Sequence, residues 1–146
     1  MTSAINVTMK NADNFQEISL DEMMIRIKTL VPNSFDIVVA IARGGILPGY
    51  LIAKFLDIPL EIIHLNLRND SHQQIRTEPL LLKPVDFEFA NKRIILTDDV
   101  SNTGLTMEKA KKILQNSLIT TLAISGNADI SLFGPHDRCI NWPWSK

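Results

Sequence analysis

The chain has 146 residues, 45% of them hydrophobic, and a formal net charge of −1. That fits one domain with one core and gives no electrostatic case for nucleic-acid or membrane partners. No apolar run reaches the roughly 18 residues of a membrane helix, no secretory h-region stands at the N-terminus, and the single Cys139 excludes an internal disulfide or a cysteine-based zinc site, so the expected residence is cytoplasmic.

Residues 1–18 are polar with scattered apolar positions and read as an arm, a short edge strand or a disordered tail. Ser19-Leu20-Asp21-Glu22 is a capping-box pattern, because Ser at N-cap and Glu at N3 can satisfy each other's backbone amides. The helix behind it places Met23, Ile27 and Leu30 on one stripe, and Pro32 ends it. Strands and helices then alternate: strand Asp36–Ala42, helix Leu47–Leu56, strand Leu60–Leu67, a polar stretch from Arg68 to Glu78 within a loop over 68–85, strand Arg93–Asp98, helix Thr106–Gln115 and strand Ile119–Ser125. The stretch 126–146 has little periodicity. Near-continuous apolar strands separated by helices indicate an α/β fold, a mostly parallel sheet covered on both faces. Ligands in such sheets bind beyond the carboxyl ends of the strands.

Two segments at those ends carry chemistry. The first runs from Ile94 to Thr106, where a β-branched strand ends in Asp98-Asp99 and turns through Val100-Ser101-Asn102 into Thr103-Gly104-Leu105-Thr106. Carboxylates at a strand end can accept hydrogen bonds from vicinal hydroxyls or face a hydrated Mg²⁺. The turn after them offers backbone amides and hydroxyls at a helix N-terminus, which is an anion site. Diol-binding carboxylates beside a phosphate cradle describe a site for a ribose 5-phosphate. The plainer reading is a capped strand-to-helix turn. The second segment is Arg43-Gly44-Gly45-Ile46-Leu47-Pro48-Gly49. Two glycines let backbone amides approach a ligand closely, and Arg43 adds a guanidinium suited to phosphate oxygens. Alone it is equally an ordinary tight turn.

In this order, each closing a strand, the two segments resemble the signature loops of the type I phosphoribosyltransferases, and the branch most resembled is that of the small xanthine-guanine and hypoxanthine enzymes. Arg43 to Gly49 compares with that branch's Arg-Gly-Gly-Leu-Val-Pro-Gly, and Asn141-Trp142-Pro143-Trp144 with its Pro-Trp ending. The resemblance implies a single-domain type I phosphoribosyltransferase fold, with a flexible substrate loop over 68–85 and a small C-terminal hood from 126 to 146. Its implied substrates are phosphoribosyl pyrophosphate and a nucleobase, most readily a purine, with Mg²⁺ as cofactor and pyrophosphate released. By matching position, Ser101 and Thr103, Gly104, Leu105 and Thr106 would hold the 5-phosphate. Asp98 and Asp99 would orient the ribose and meet the metal, while Arg43, Gly44, Gly45 and, from the loop, Arg68 would hold pyrophosphate. The family also carries a cis peptide before the basic residue, here Ala42–Arg43. Its members are commonly dimers or tetramers, so a homo-oligomer is expected.

Three departures bear on the acceptor. Where purine enzymes of this branch place an Asp that handles a ring proton, the chain has Asn102, which can hydrogen-bond but cannot act as a general base. Where they carry a Lys after the next strand, it has Ser125-Gly126-Asn127-Ala128. Where they stack the base on an aromatic ring, spacing from Trp144 falls near Cys139 and Ile140, leaving Trp142 as the candidate platform. All three lie in the base pocket, so the alternative to a transferase is a non-catalytic regulator that binds phosphoribosyl pyrophosphate or a nucleotide. His64, His72 and His136 lack metal-ligand spacing, Lys109, Lys111 and Lys112 read as a wet helix face, and Arg76 reads as a surface charge. No Gly-x-Gly-x-x-Gly follows the first strand, which sets aside a dinucleotide-binding oxidoreductase.

Overall fold

A computed structural model describes residues 15–66, 78–135 and 139–142. Its main sheet has six strands in the order β4-β3-β2-β5-β6-β7, with β2 at Ile37–Ala42, β3 at Leu60–Asn66, β4 at Leu80–Leu81, β5 at Arg93–Ser101, β6 at Leu118–Gly126 and β7 at Ile130–Ser131. Every pairing in it is parallel except that of β3 with β4. A second sheet pairs β1, Phe15–Glu17, in parallel with β8, Cys139–Asn141. Part of the N-terminal arm is thus a strand beside the C-terminal segment.

Helix α1, Leu20–Leu30, begins at the expected N-cap: the Glu22 amide donates to the Ser19 hydroxyl at 3.1 Å, the Ser half of the capping box, with Asp21 and Glu22 in the first turn. Met23 and Ile27 are buried, but Leu30 is 45% exposed, and Val31 takes its place in the core. The helix unwinds at Val31, so the stripe is completed by its extended C-cap. Helix α2, Ile46–Leu56, tolerates Pro48 because its first-turn amides need no intrahelical acceptor. Helix α3, Leu105–Ile113, buries Met107 and Ala110.

Two apolar layers sandwich the sheet. Residues of α1 and α2 pack with Val38, Ile95, Leu122 and Ile124 on one face, while α3 packs with Val39, Ile63, Ile94 and Leu96 on the other. Each fully buried Ile or Leu contributes about 1.5–3 kcal/mol. Strands β5 and β6 run further than their apolar patterns suggested, to Ser101 and Gly126, because their pairing continues through the polar residues Asp98, Ser101 and Ser125. Of the expected loop over 68–85, residues 68–77 lie outside the described residues and Leu80–Leu81 form strand β4 instead, paired with the end of β3; His72, His136 and Trp144 also lie outside the described residues.

Candidate functional site

Strands β2 and β5 are neighbours in register, Ala40 beside Thr97, so their carboxyl ends deliver Arg43-Gly44-Gly45 and Asp98-Asp99 to one place. A buried hydroxyl fixes the junction: Thr97 Oγ1 donates to the Gly45 carbonyl at 2.9 Å. The Gly45 amide donates to the Ile41 carbonyl at 2.8 Å, and the Gly49 amide donates to the Gly45 carbonyl at 2.9 Å. A side chain at either glycine of the turn would collide, Gly44 with the Asp99 carboxylate and Gly45 with the Thr97 carbonyl. The Ala42–Arg43 peptide is cis, and Arg43 is exposed beyond it.

Strand alternation starts the two side chains on opposite faces, yet their carboxyl groups stay within hydrogen-bonding reach of each other. Asp98 shares the face of Ile94 and Leu96, toward α3, and is 9% exposed. Asp99 shares the face of Ile95 and Thr97, is half-buried and lies against Gly44. Burial pushes the Asp98 carboxyl well above the usual carboxylate range. The nearby Asp99 charge and a side-chain hydrogen bond with Asp99 add to this, and the Asp99 amide, which donates to Asp98 Oδ1 at 2.8 Å, opposes it. Asp99 Oδ1 accepts from the Val100 amide at 2.7 Å.

Past Ser101 the chain turns into α3. Asn102 and Thr103 are exposed, and Gly104 is the N-cap with φ of 79°, a left-handed conformation that favours glycine. Nothing lies within 4 Å of where a Gly104 Cβ would stand. The Leu105 amide has a long 3.4 Å contact with Thr103 Oγ1, and intrahelical bonding starts where the Glu108 amide meets the Gly104 carbonyl at 2.9 Å. The first-turn amides, including that of Thr106, therefore face the open end of the helix. Leu105 is 37% exposed there.

On the far side, β6 closes against the same turn. Gly126 pairs with Ser101, and the Asn127 amide donates to the Ser101 carbonyl at 2.8 Å. The Gly134 carbonyl accepts from the Gly126 amide at 2.9 Å, from the Ser131 hydroxyl at 2.9 Å and from the Ser125 hydroxyl at 3.2 Å. Trp142 is half-buried and packs against the apolar layer under α1 and α2. Among the described residues, two buried side-chain atoms have no hydrogen-bond partner: Ser101 Oγ and Asn66 Oδ1. Both residues end strands at this same edge of the sheet, and nothing in the sequence pattern singled out Asn66.

The described residues contain no group of three or more His, Cys, Asp or Glu able to hold a metal. Asp98 and Asp99 are a sparse donor set, of the kind that suits a Mg²⁺ whose other ligands are waters and substrate phosphates. Of the two, Asp99 is the more accessible. Arg68, expected at this site, lies outside the described residues. Among the described residues no helix is long and apolar enough to cross a membrane.

Residues 11–121 match the family described as the phosphoribosyl transferase domain. A xanthine-guanine phosphoribosyltransferase of Desulfotalea psychrophila is 26% identical over 136 residues, covering 90% of this chain and 83% of that protein. An orotate phosphoribosyltransferase of Sulfurisphaera tokodaii is 25% identical over 108 residues, 74% of this chain, and the chain spans only 51% of that relative's length. Among solved structures, a purine phosphoribosyltransferase from Pyrococcus horikoshii superposes with a TM-score of 0.72 at 21% identity, covering 91% of this chain and 95% of that one.

Proposed function

We propose, because this chain belongs to the phosphoribosyl transferase family of enzymes, that it transfers the phosphoribosyl group of phosphoribosyl pyrophosphate to a purine-like nucleobase and releases pyrophosphate. The observation that carries this reading is the Asp99 carboxylate seated against Gly44, which joins the acidic strand end to the glycine turn at one edge of the sheet.

In this reading a ring nitrogen of the base attacks the anomeric carbon as the bond to pyrophosphate breaks. Positive charge develops on the sugar, so the protein's work is positioning and electrostatic stabilisation. Thr103, Gly104, Leu105 and Thr106 bind the 5-phosphate with first-turn amides and hydroxyls, and Ser101 supports the turn. Asp99 accepts from the ribose hydroxyls and favours charge on the ring, while buried Asp98 fixes the Asp99 backbone through its 2.8 Å bond. Arg43 and the Gly44-Gly45 amides hold the pyrophosphate as it departs, with Arg68 contributing from the loop. Mg²⁺, held by Asp99 with Asp98 behind it, would supply charge neutralisation to the leaving group. Asn102 and Trp142 belong to the acceptor side, Asn102 as a hydrogen-bonding group and Trp142 as an aromatic surface.

A second reading, a regulator that binds phosphoribosyl pyrophosphate or a nucleotide without turnover, is favoured by one feature. The acceptor side presents an amide at Asn102, while the Ser125 and Ser131 hydroxyls are spent on the Gly134 carbonyl. Pyrophosphate release with Mg²⁺ across a panel of bases separates the two: the transferase requires release that depends on the base.

A further inference from the structure

Arg26 stands on α1, in no loop of the site, yet its guanidinium makes two specific contacts with the segment that follows β7. Its Nη1 donates to the Leu132 carbonyl at 2.9 Å, and its charge lies 4.5 Å from the centre of the Phe133 ring, within the range of a cation–π interaction. A solvated surface arginine needs neither contact. Met23 and Ile27, on either side of Arg26 in the helix, are fully buried, so the base of this arm is rigid.

The contacts begin a series of hydrogen bonds, joined through the backbone, that ends at the carboxyl end of β6. The Leu132 amide donates to the Ala123 carbonyl at 3.0 Å and the Phe133 amide to the Ile124 carbonyl at 2.9 Å. The next residue, Gly134, receives the Gly126 amide at 2.9 Å together with the Ser125 and Ser131 hydroxyls. Apart from Arg26 on α1, every residue in this series belongs to β6, to β7 or to the segment that follows β7. None belongs to the Arg43-Gly44-Gly45 turn.

We propose that Arg26 is a positioning residue for the acceptor side of the site: it braces Leu132 and Phe133, and through Gly134 sets the lip of β6 against which the base is held. The proposal rests on the phosphoribosyl site described above but not on turnover. Binding therefore tests it. The probes are inosine, guanosine, uridine and orotidine 5′-monophosphates, compared with ribose 5-phosphate, which shares the sugar phosphate and lacks the base.

The unsubstituted protein is expected to bind one of the nucleotides more tightly than ribose 5-phosphate in calorimetry. Arg26→Ala is expected to weaken that nucleotide about tenfold, the scale of one charge-assisted hydrogen bond, and to leave ribose 5-phosphate within about twofold. Arg26→Lys, which keeps a donor and a cation, restores most of the loss. Faster amide hydrogen exchange at Phe133 and Gly126 in Arg26→Ala reports the loosened brace without any ligand. Equal weakening of both ligands, or of neither, overturns the proposal, as does a protein that binds no nucleotide more tightly than ribose 5-phosphate. Should Arg26→Ala fail to fold, Phe133→Leu removes only the ring and must show the same selective loss in smaller measure. Absent pyrophosphate release with this selectivity intact would refute the transferase reading and leave the proposal standing.

Discussion

The Asp99 carboxylate occupies the space that a side chain on Gly44 would need. The two residues are far apart in sequence and meet because β2 and β5 are adjacent and end at the same edge of the sheet. Gly44→Ala must therefore move Asp99 or the turn. The expected outcome is a fall in kcat/KM of roughly 100-fold, the scale on which misplacement by an ångström acts. Steady-state kinetics against phosphoribosyl pyrophosphate checks it, and a variant within twofold of the parent would show that Asp99 is not held by this contact.

Thr97 carries no expected chemistry but holds the turn from beneath. Its buried hydroxyl donates to the Gly45 carbonyl. Thr97→Val keeps the shape and removes the donor, so it should lower stability by about 1–3 kcal/mol. Urea unfolding measures this, and an unchanged midpoint would mean that the Gly45 carbonyl is satisfied by the Gly49 amide alone.

Asp98 gives a pH signature of definite sign. Its folded-state pKa is raised above the ordinary 3.8, chiefly by burial. Below that value both folded and unfolded chains hold the proton and the group has no net effect. As pH rises past it the unfolded chain ionises first, so stability falls until the folded carboxyl ionises too. Asp98→Asn is exempt from that loss. Its stability relative to the parent should climb as pH rises from about 4, and denaturation curves across that interval would show a flat difference if Asp98 is in truth well solvated.

Asp36 supplies the opposite sign elsewhere in the molecule. Side-chain hydrogen bonds from Arg93, then its backbone amide, lower the Asp36 pKa to about 2. The stability it contributes is present above 3.8 and lost as pH falls toward about 2. Asp36→Asn should unfold more readily than the parent at neutral pH, with the gap closing in acid; a gap independent of pH would attribute the effect to packing.

Asn102 tests the acceptor. Asn102→Asp restores a group able to take a proton, and the expected result is gained pyrophosphate release with hypoxanthine or guanine. No gain would mean that the closed Ser125–Gly134 network, and not the missing carboxylate, limits purines.

Much of this arrangement is legible in the residues themselves. The apolar runs gave the parallel sheet, and the Ser19 cap, the glycine turn and the Thr103–Thr106 turn all sit where their local chemistry directs. What could be read but needed the strand period was the fate of Asp98 and Asp99: adjacent residues on a strand face opposite sides, so one carboxylate is sunk toward α3 while the other meets Gly44. Other features are set only by tertiary contact. Leu30 follows the helical stripe and is exposed, since the helix ends beside it. Asn66 and Arg26 have no sequence signal, because their significance comes from what the fold places near them. The pairing of β1 with β8 joins segments at opposite ends of the chain, which no local pattern specifies.

Pyrophosphate release from phosphoribosyl pyrophosphate with Mg²⁺, measured across purine and pyrimidine bases, decides between transferase and regulator. A transferase built on this site releases pyrophosphate only when a base is present, fastest with a purine or purine-like one, and about 100-fold less efficiently in Gly44→Ala. No release with any base, from protein that still binds phosphoribosyl pyrophosphate in calorimetry, would rule out the transferase and identify a regulator built on the same fold.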